Sequence, residues 1–215
     1  MPAPIVIAGA GGHAREVCSY LASHPDFELI GVLDDAKPLG SFEQTRLLGP
    51  IDCLTELMRS DQGLRFITAF GSNEVRLSVV RRIESLPVWT SPAVVVDRSA
   101  QIGRNVEIGE GTLLAPGAVV TTKVKIGRHC IINVKASVSH DCQISDFANL
   151  NPGVTVCGAV CIGEGAYIGA GTTIIDKISV GAWSIIGAGA VVVRDIPAHV
   201  TAVGVPARIV KKRLG

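Results

Sequence analysis

An aliphatic residue recurs at every sixth position from Val96 to Val192, without a gap or an insertion. A second register, two positions earlier in each repeat, holds small or β-branched residues from Ala100 to Ala190. In an α-helix this period would turn successive aliphatic side chains to different sides, so no apolar stripe could form. In a strand, residues two and six positions apart share a face. The period therefore predicts a solenoid in which short strands alternate with corners and both registers point inward.

Glycine follows the aliphatic residue in several repeats, at positions 103, 109, 127, 163, 169, 181 and 187. We expect these positions to be corners, where the backbone needs the positive φ angles that glycine tolerates. Three six-residue sides would complete one triangular coil, so residues eighteen positions apart should stack at the ~4.8 Å spacing of paired strands. The pattern is typical of a parallel β-helix.

The residues before the solenoid alternate predicted strands and helices. Apolar β-type runs predict strands at 4–8, 28–33 and 65–70, and helices are expected at 14–22, 52–59 and 73–86. Such alternation predicts a small, mainly parallel α/β sheet that resembles half of a Rossmann fold. Pro87 and Pro92 mark the passage into the solenoid. We therefore assign residues 1–92 to the α/β domain and residues 93–215 to the β-helix with a C-terminal tail.

Composition narrows the classes of function. The chain has 215 residues, enough for two small domains, and its formal net charge of +1 gives no electrostatic case for binding nucleic acid. No apolar run reaches the roughly 20 residues that span a membrane, and the N-terminus lacks a basic signal segment, so we expect a cytoplasmic protein. The six cysteines show neither a metal-binding pattern nor a disulfide framework, and we expect them to be packing residues.

A glycine-rich run directly after the first predicted strand indicates a phosphate site. Gly9, Gly11 and Gly12 precede a predicted helix; glycines let the backbone approach an anion, and the helix N-terminus offers free N–H groups. Asp34 ends the second predicted strand at the spacing seen in dinucleotide sites. The domain has room for only half of a dinucleotide fold, which favours a mononucleotide. The alternative is that the glycines only allow a tight strand-to-helix turn.

The candidate for catalysis lies where the corner positions hold no glycine, between residues 133 and 157. His140 is the histidine of this window, and Asp141 follows it. Adjacent residues in a strand point to opposite faces, so a contact between these two side chains requires a corner. Gly158 lies one coil beyond His140 and should stack against it. A base beside an unshielded backbone N–H is the pair that acyl transfer requires; the alternative is an ordinary surface histidine.

Over nearly its whole length the chain resembles the bacterial sugar acyltransferases in which a small α/β domain precedes a left-handed β-helix of hexapeptide repeats. The family includes N-acetyltransferases of nucleotide-linked 4-amino sugars and the sialic acid O-acetyltransferases. The left hand of the predicted coil comes from this resemblance. It rests on the unbroken hexapeptides and on the runs G-A-G-G-H-A-R-E-V from Gly9, G-V-L-D-D from Gly31, G-S-N-E-V-R from Gly71, S-H-D-C from Ser139 and G-V-P-A from Gly204.

The resemblance implies a homotrimer that binds acetyl-CoA in the cleft between neighbouring β-helices and uses no metal. It implies that His140 is the general base, that Asp141 orients its imidazole, and that the Gly158 N–H is the oxyanion donor. The nucleotide sugar is expected at Gly9, Gly11, Gly12, His13, Asp34, Asp35 and Asn73, and acetyl-CoA at Gly158, Gly169, Ala170, Ala188, Gly204, Val205, Pro206 and Arg208.

Within the family the chain looks most similar to the enzymes whose substrate is GDP-perosamine, which implies a role in O-antigen biosynthesis. Enzymes of the bacillosamine pathway carry a second histidine where this chain has Asn149, which argues against a UDP-linked bacillosamine precursor. Other UDP- or dTDP-linked 4-amino sugars and O-acetylation of a sugar hydroxyl stay open. So do a dinucleotide-dependent oxidoreductase and a sugar-binding scaffold without activity. A γ-class carbonic anhydrase needs three zinc-binding histidines, which His129 and His140 cannot supply.

Overall fold

The computed structural model describes residues 1–89 and 91–213, which form two compact units. The first unit is Met1–Val94 and the second begins at Val95. Within the described ranges, no helix is both long enough and apolar enough to cross a membrane.

The first unit is an α/β domain. Its α-helices are α1 (Gly12–Leu21), α2 (Leu54–Ser60) and α3 (Asn73–Glu84), and a 3-10 turn, Ile51–Cys53, directly precedes α2. Its strands are β1 (Ala3–Ala8), β2 (Phe27–Leu33), β3 (Gly40–Phe42), β4 (Thr45–Gly49) and β5 (Arg65–Thr68).

The sheet of this domain has the strand order β3-β4-β2-β1-β5. Strand β1 pairs in parallel with β2 on one side and with β5 on the other. Its continuous apolar run, from Ile5 to Ala8, is fully buried, as expected for a central parallel strand. The predicted mainly parallel sheet is confirmed. The sequence analysis missed the antiparallel β3–β4 hairpin, because its strands are short and β3 is largely exposed.

The helices follow the expected positions with two adjustments. Ser72 caps α3, since its hydroxyl accepts the Val75 N–H at 3.3 Å. The helix expected at 52–59 is instead a 3-10 turn followed by the seven-residue α2. Helix α1 begins two residues earlier than expected, at Gly12, and buries Val17 and Leu21.

The second unit is a parallel β-helix of two-residue strands, closed at its C-terminal end by a hairpin of β23 (Val200–Val203) and β24 (Arg208–Lys212). The coil strands are β6 (Val95–Val96), β7 (Gln101–Ile102), β8 (Glu107–Ile108), β9 (Leu113–Leu114), β10 (Val119–Val120), β11 (Lys125–Ile126), β12 (Ile131–Ile132), β13 (Ser137–Val138), β14 (Gln143–Ile144), β15 (Asn149–Leu150), β16 (Thr155–Val156), β17 (Cys161–Ile162), β18 (Tyr167–Ile168), β19 (Thr173–Ile174), β20 (Ser179–Val180), β21 (Ile185–Ile186) and β22 (Val191–Val192).

Each coil strand pairs in parallel with the strand one coil away, and the pairing confirms the predicted stacking. In β10 and β13, for example, Val119 lies opposite Ser137, which is eighteen residues later. The strands form three sheets, one for each side of the coil. Both predicted inward registers line the core, where most of their members are fully buried. Burying one aliphatic side chain contributes about 1.5–3 kcal/mol, so this column is the main source of stability in the unit.

The corner glycines correct one expectation. None of the glycines that follow the aliphatic residues has a positive φ angle; the left-handed residues lie two positions later, as at Asn105, Lys123 and Asp141. The reason for glycine is instead the close approach of the next coil. A methyl group on Gly163 would lie 2.5 Å from the backbone nitrogen of Ala182 and 2.9 Å from its Cα atom.

Replacing Gly163 by alanine should therefore destabilise the β-helix. The added methyl group would press on backbone atoms that cannot rotate away, and overpacking of this kind costs about 1–3 kcal/mol. The matched control is Gly71→Ala, because a methyl group there meets nothing within 4 Å. Thermal unfolding should show a lower Tm for Gly163→Ala and an almost unchanged Tm for the control. Equal Tm values for the two variants would contradict this explanation of the corner glycines.

Candidate active site

The first candidate site lies at the carboxyl ends of β1, β2 and β5, three neighbouring parallel strands of the α/β sheet. The glycine-rich run follows β1, Asp34 follows β2, and the segment from Ala69 to Asn73 follows β5. Because the chain passes from β1 to β2 on one side and later reaches β5 on the other, the strand order reverses at β1, the point where open α/β sheets have their ligand crevice.

The glycine-rich loop is held from both sides. Gly9, with φ of 111°, donates its N–H to the Leu33 carbonyl at 2.7 Å, and a methyl group there would lie 2.9 Å from the Phe70 ring. The Ala10 N–H donates to Asp34 Oδ2 at 2.7 Å. Gly9 therefore shapes the turn, and its own N–H is not free for a ligand. Gly11 and Gly12 are exposed, and a methyl group on either would meet nothing within 4 Å.

His13 lies in the first turn of α1, whose N-cap residue Gly11 has no side chain to cap the helix. Its Nδ1 atom lies 2.9 Å from Glu16 Oε2. Its Nε2 atom is buried and has no hydrogen-bond partner among the described residues. A buried, unsatisfied ring nitrogen is costly, and beside open helix N–H groups it indicates a place for an acceptor such as a phosphate oxygen.

The three other predicted substrate residues already serve the fold. Asp34 also accepts the Ala36 N–H through Oδ1 at 2.9 Å. Asp35 pairs with Arg82 at 2.6 Å and accepts the Ile51 N–H. Asn73 is buried, and its Oδ1 accepts from Arg76 Nη2 at 3.0 Å.

Arg76 is a residue that the sequence analysis missed. It is 1% exposed and also donates to the Phe70 carbonyl at 2.9 Å. It thus ties the start of α3 to the loop that packs against Gly9. The Arg82 guanidinium also links separate parts of the chain, because it contacts both Asp35 and Asp52. Its hydrogen bond to Asp52 holds the pKa of that carboxyl below its usual range.

The second candidate site is the corner of the β-helix that carries His140. The positive φ of Asp141, 60°, turns the chain so that the two side chains meet, and His140 Nδ1 lies 2.8 Å from Asp141 Oδ2. Both side chains are more than half exposed. A methyl group on Gly158 would lie 2.6 Å from Cε1 and 2.7 Å from Nε2 of the imidazole. The corner therefore brings together the three residues expected to be catalytic.

The Gly158 N–H, however, is not unshielded as expected. It donates to Asp176 Oδ1 at 2.8 Å. Asp176 lies one further coil along the same corner, and its carboxylate stands beside the space that a Gly158 side chain would fill, at 3.2 Å. The sequence analysis did not consider Asp176.

The residues expected to bind acetyl-CoA divide between two corners of the coil. Gly158 lies with His140. Gly169, Ala170 and Ala188 occupy another corner, where a methyl group on Gly169 would lie 2.5 Å from the Ala188 nitrogen. Gly204, with φ of 98°, Val205, Pro206 and Arg208 are exposed in and after the turn that joins β23 to β24. A single chain therefore does not bring all of these residues into one cluster.

Cys130 and Cys142 are buried packing residues of the β-helix as expected, whereas Cys161 is exposed. Cys142 is buried two residues after His140, and its Sγ donates to the Cys157 carbonyl at 3.1 Å. Burial raises the pKa of the Cys142 thiol, so it stays protonated and unreactive. Across the described ranges, no three His, Cys, Asp or Glu side chains form a group that could hold a metal ion.

The chain is similar to known proteins in three comparisons. Residues 4–83 match the family model of the PglD N-terminal domain. A UDP-N-acetylbacillosamine N-acetyltransferase of Bacillus subtilis is 39% identical over 114 residues, which cover 51% of this chain and 50% of that protein. The structure of PerB from Caulobacter crescentus, in complex with CoA and GDP-perosamine, matches with a TM-score of 0.87 at 34% identity, over 96% of each chain.

A third protein, the acetyltransferase domain of PglB from Neisseria gonorrhoeae in complex with acetyl coenzyme A, matches with a TM-score of 0.86. It is 28% identical, over 98% of this chain and 100% of that domain. The match to the Bacillus protein spans only half of that relative's length.

A small α/β domain followed by a parallel β-helix of six-residue repeats is the fold of the hexapeptide-repeat acyltransferases. The match to PerB spans almost the whole of both chains at more than 30% identity. The chain belongs to the family of left-handed β-helix N-acetyltransferases that includes PerB and the PglD-type enzymes, and the predicted left hand of the coil is confirmed.

Proposed function

We propose that this protein transfers the acetyl group of acetyl-CoA to the 4-amino group of a nucleotide-linked deoxyamino sugar, with GDP-perosamine as the leading substrate. The observation that carries the proposal is the corner where His140, oriented by Asp141, faces the backbone of Gly158. The complex of PerB with CoA and GDP-perosamine supports both ligand classes.

His140 has the geometry of a general base. A sugar amine is mostly protonated at neutral pH, and an ammonium group cannot attack a thioester. His140 Nε2 makes no hydrogen bond within residues 1–89 and 91–213 and is open to accept the proton, while Asp141 at Nδ1 orients the ring and stabilises the imidazolium. The free amine then attacks the thioester carbon directly, without an acyl-enzyme.

Gly158 has the position of an oxyanion donor. As the tetrahedral intermediate forms, its N–H would stabilise the charge on the former carbonyl oxygen, after exchanging Asp176 for this new acceptor. Collapse breaks the carbon–sulfur bond, and the CoA thiolate takes up a proton and leaves as the thiol. The overall reaction consumes the ammonium form of the sugar and releases one proton to solvent.

The nucleotide part of the substrate would bind at the carboxyl ends of β1, β2 and β5. Gly11, Gly12 and the first turn of α1 offer open backbone N–H groups to a diphosphate, and His13 Nε2 supplies the unsatisfied side-chain nitrogen. Asp34, Asp35 and Asn73 border the same crevice and remain candidates for the ribose and base. The α/β domain would thus hold the sugar nucleotide, and the β-helix acetyl-CoA.

His13→Ala should raise the KM for the nucleotide sugar about 10- to 100-fold, because a hydrogen bond to a charged group is worth about 1.5–3 kcal/mol. The KM for acetyl-CoA should not change. The control is His24→Ala, a half-buried histidine beyond the C-terminal end of α1 and outside the glycine-rich loop. Steady-state kinetics with each substrate varied in turn would measure both constants. An unchanged KM for the nucleotide sugar with a raised KM for acetyl-CoA would overturn this assignment of the domains.

The acetyl-CoA site supports a homotrimer. Ala170 and Ala188 lie on a different corner of the coil from His140, so one acetyl-CoA molecule in the cleft between two copies would reach one corner of each. The trimer, a cytoplasmic location beside the pool of acetyl-CoA, and a role in O-antigen biosynthesis are parts of this proposal.

The proposed function is tested by release of the CoA thiol. Acetyl-CoA would be incubated with GDP-, UDP- and dTDP-linked 4-amino sugars and with the otherwise identical sugars that carry a 4-hydroxyl group. We expect release with an amino sugar, fastest with the GDP-linked one. Release with hydroxyl sugars alone would indicate O-acetylation, and no release with any of the sugars would contradict the proposal.

A further inference from the structure

The corner that holds His140 and Gly158 continues one coil further with Asp176, to which the mechanism so far gives no task. Asp176 Oδ1 accepts the Gly158 N–H at 2.8 Å, and the residue is exposed. Oδ1 and the imidazole Nε2 lie 3.2 and 2.7 Å from the same point, the place of a Cβ atom on Gly158. The carboxylate and the imidazole therefore stand together over this glycine.

This arrangement conflicts with acyl transfer as long as the carboxylate stays in place. The tetrahedral intermediate needs the Gly158 N–H for its oxyanion, and a carboxylate already occupies that donor. Two negative groups at one N–H also repel each other. The carboxylate must therefore move to another partner when both substrates bind.

The cation that the reaction itself brings to this corner is the ammonium group of the acceptor sugar. Within the described ranges, no lysine or arginine forms an ion pair with Asp176 or with Asp141. Two carboxylates thus flank one imidazole without a basic side chain paired to either. Binding of a cationic amine is favoured beside two such carboxylates, whereas a neutral hydroxyl group gains much less binding free energy there.

We propose that Asp176 is the positioning residue for the substrate amine and makes the site specific for amines over hydroxyls. This inference rests on the proposed function. On binding, the carboxylate leaves the Gly158 N–H and accepts the ammonium group, which places the nitrogen beside His140 Nε2. The proton then passes from the ammonium group to Nε2, the amine attacks the thioester carbon, and the Gly158 N–H is free to receive the oxyanion.

The chain also contains a carboxylate with the same structural contact, in a corner whose histidine, His129, is buried and stacks on Phe147. Asp146 Oδ1 accepts the Arg128 N–H at 2.7 Å, and these two residues are also eighteen apart. If Asp176 only capped a backbone N–H of the neighbouring coil, its replacement should have the same consequences as replacement of Asp146.

The experiment compares Asp176→Asn with Asp146→Asn in the full chain. An asparagine oxygen can still accept the backbone N–H, so both variants should keep a Tm close to that of the wild type. We expect Asp176→Asn to raise the KM for the 4-amino sugar nucleotide about 10- to 100-fold, the range for a hydrogen bond to a charged group. The KM for acetyl-CoA should stay unchanged, and Asp146→Asn should change neither constant.

A binding measurement separates recognition of the amine from general damage. Calorimetry would compare GDP-perosamine with the otherwise identical GDP sugar that has a hydroxyl group at C4. The wild type should prefer the amino sugar, and Asp176→Asn should lose that preference while binding the hydroxyl sugar as the wild type does.

The possible failures are distinguishable. An Asp176→Asn variant that keeps both the amino preference and the KM would overturn this inference and leave the proposed function standing. Equal losses in Asp176→Asn and Asp146→Asn would show that both carboxylates are only structural caps. Absence of thiol release by the wild type with every amino sugar would overturn the proposed function, and the inference with it.

Discussion

Replacing His140 by asparagine should lower kcat by about 10²–10⁴-fold, the typical cost of removing a positioned general base. The side chain is more than half exposed, so the variant should fold normally and still bind both substrates. Asp141→Asn should cost less, because its carboxylate acts through the imidazole at 2.8 Å. Steady-state kinetics and calorimetric binding would measure these effects, with His24→Asn as the control for a histidine outside the β-helix.

The pH dependence gives the same prediction a second readout. Histidine changes its charge between about pH 5 and 8, and a protonated imidazole cannot accept a proton. In the wild type, kcat/KM should therefore fall as the pH is lowered, with one protonation. This limb should vanish or shift in His140→Asn. A variant with near-normal kcat and an unchanged pH profile would show that the proton passes elsewhere and that His140 is only structural.

Replacing Gly158 by alanine should have an effect of comparable size. The new methyl group would lie 2.6–2.7 Å from the imidazole and 3.2 Å from Asp176 Oδ1, so the ring must leave its position. Displacement of reacting groups by about 1 Å can cost 10²-fold in rate, and we expect at least that loss in kcat. The backbone itself is not the obstacle, because Gly158 has no positive φ angle and Ala170 and Asp146 occupy equivalent corner positions.

A double-mutant cycle tests whether the imidazole is the reason for this glycine. In the presence of His140, the Gly158→Ala change should lower both stability and kcat. In a His140→Ala background the methyl group has room, so the same change should have little effect on Tm. The effects of substitutions at residues in contact show such non-additivity, whereas the effects of substitutions at independent sites add. Equal losses of Tm in both backgrounds would mean that Gly158 is required for another reason.

The β-helix was predictable because its period is a direct consequence of geometry. Two side chains per repeat point inward, so the core selects aliphatic residues at every sixth position, and strands pair one coil apart as expected. The hairpin of β3 and β4 was not predictable in this way, since only a few of its residues are buried and no alternation marks it. Strand β4 of this hairpin pairs with β2, and a local sequence pattern does not show such a contact between distant segments.

The predicted reason for the corner glycines was wrong, although their predicted position at the corners was right. A sequence pattern shows where glycine recurs, but not whether a backbone angle or a neighbouring atom demands it. In this coil the demand comes from the backbone of the next turn, as Gly163 shows. The positive φ angles lie at other residues, among them His129 and Asp141.

The candidate catalytic corner was largely predictable from the spacing of eighteen residues. The same spacing applied once more would have reached Asp176, and with it the partner of the Gly158 N–H. In the α/β domain the hydrogen bonds of Asp34, Asp35 and Asn73 could not be read from the sequence. The partners of Asp34 and Asp35 are Ala10 and Arg82, which lie on other parts of the chain. The partner of Asn73 is Arg76, which is buried although arginine is usually exposed.

The central claim is that the His140 corner transfers acetyl from acetyl-CoA to a sugar amine. The most direct measurement incubates wild type and His140→Asn with acetyl-CoA and GDP-perosamine, counts the CoA thiol released, and identifies the product by mass spectrometry before and after treatment with hydroxylamine. We predict one thiol for each acetylated sugar, a linkage that resists hydroxylamine as an amide does, and a rate about 10²–10⁴-fold lower in the variant. An ester cleaved by hydroxylamine, or equal rates in both proteins, would contradict it.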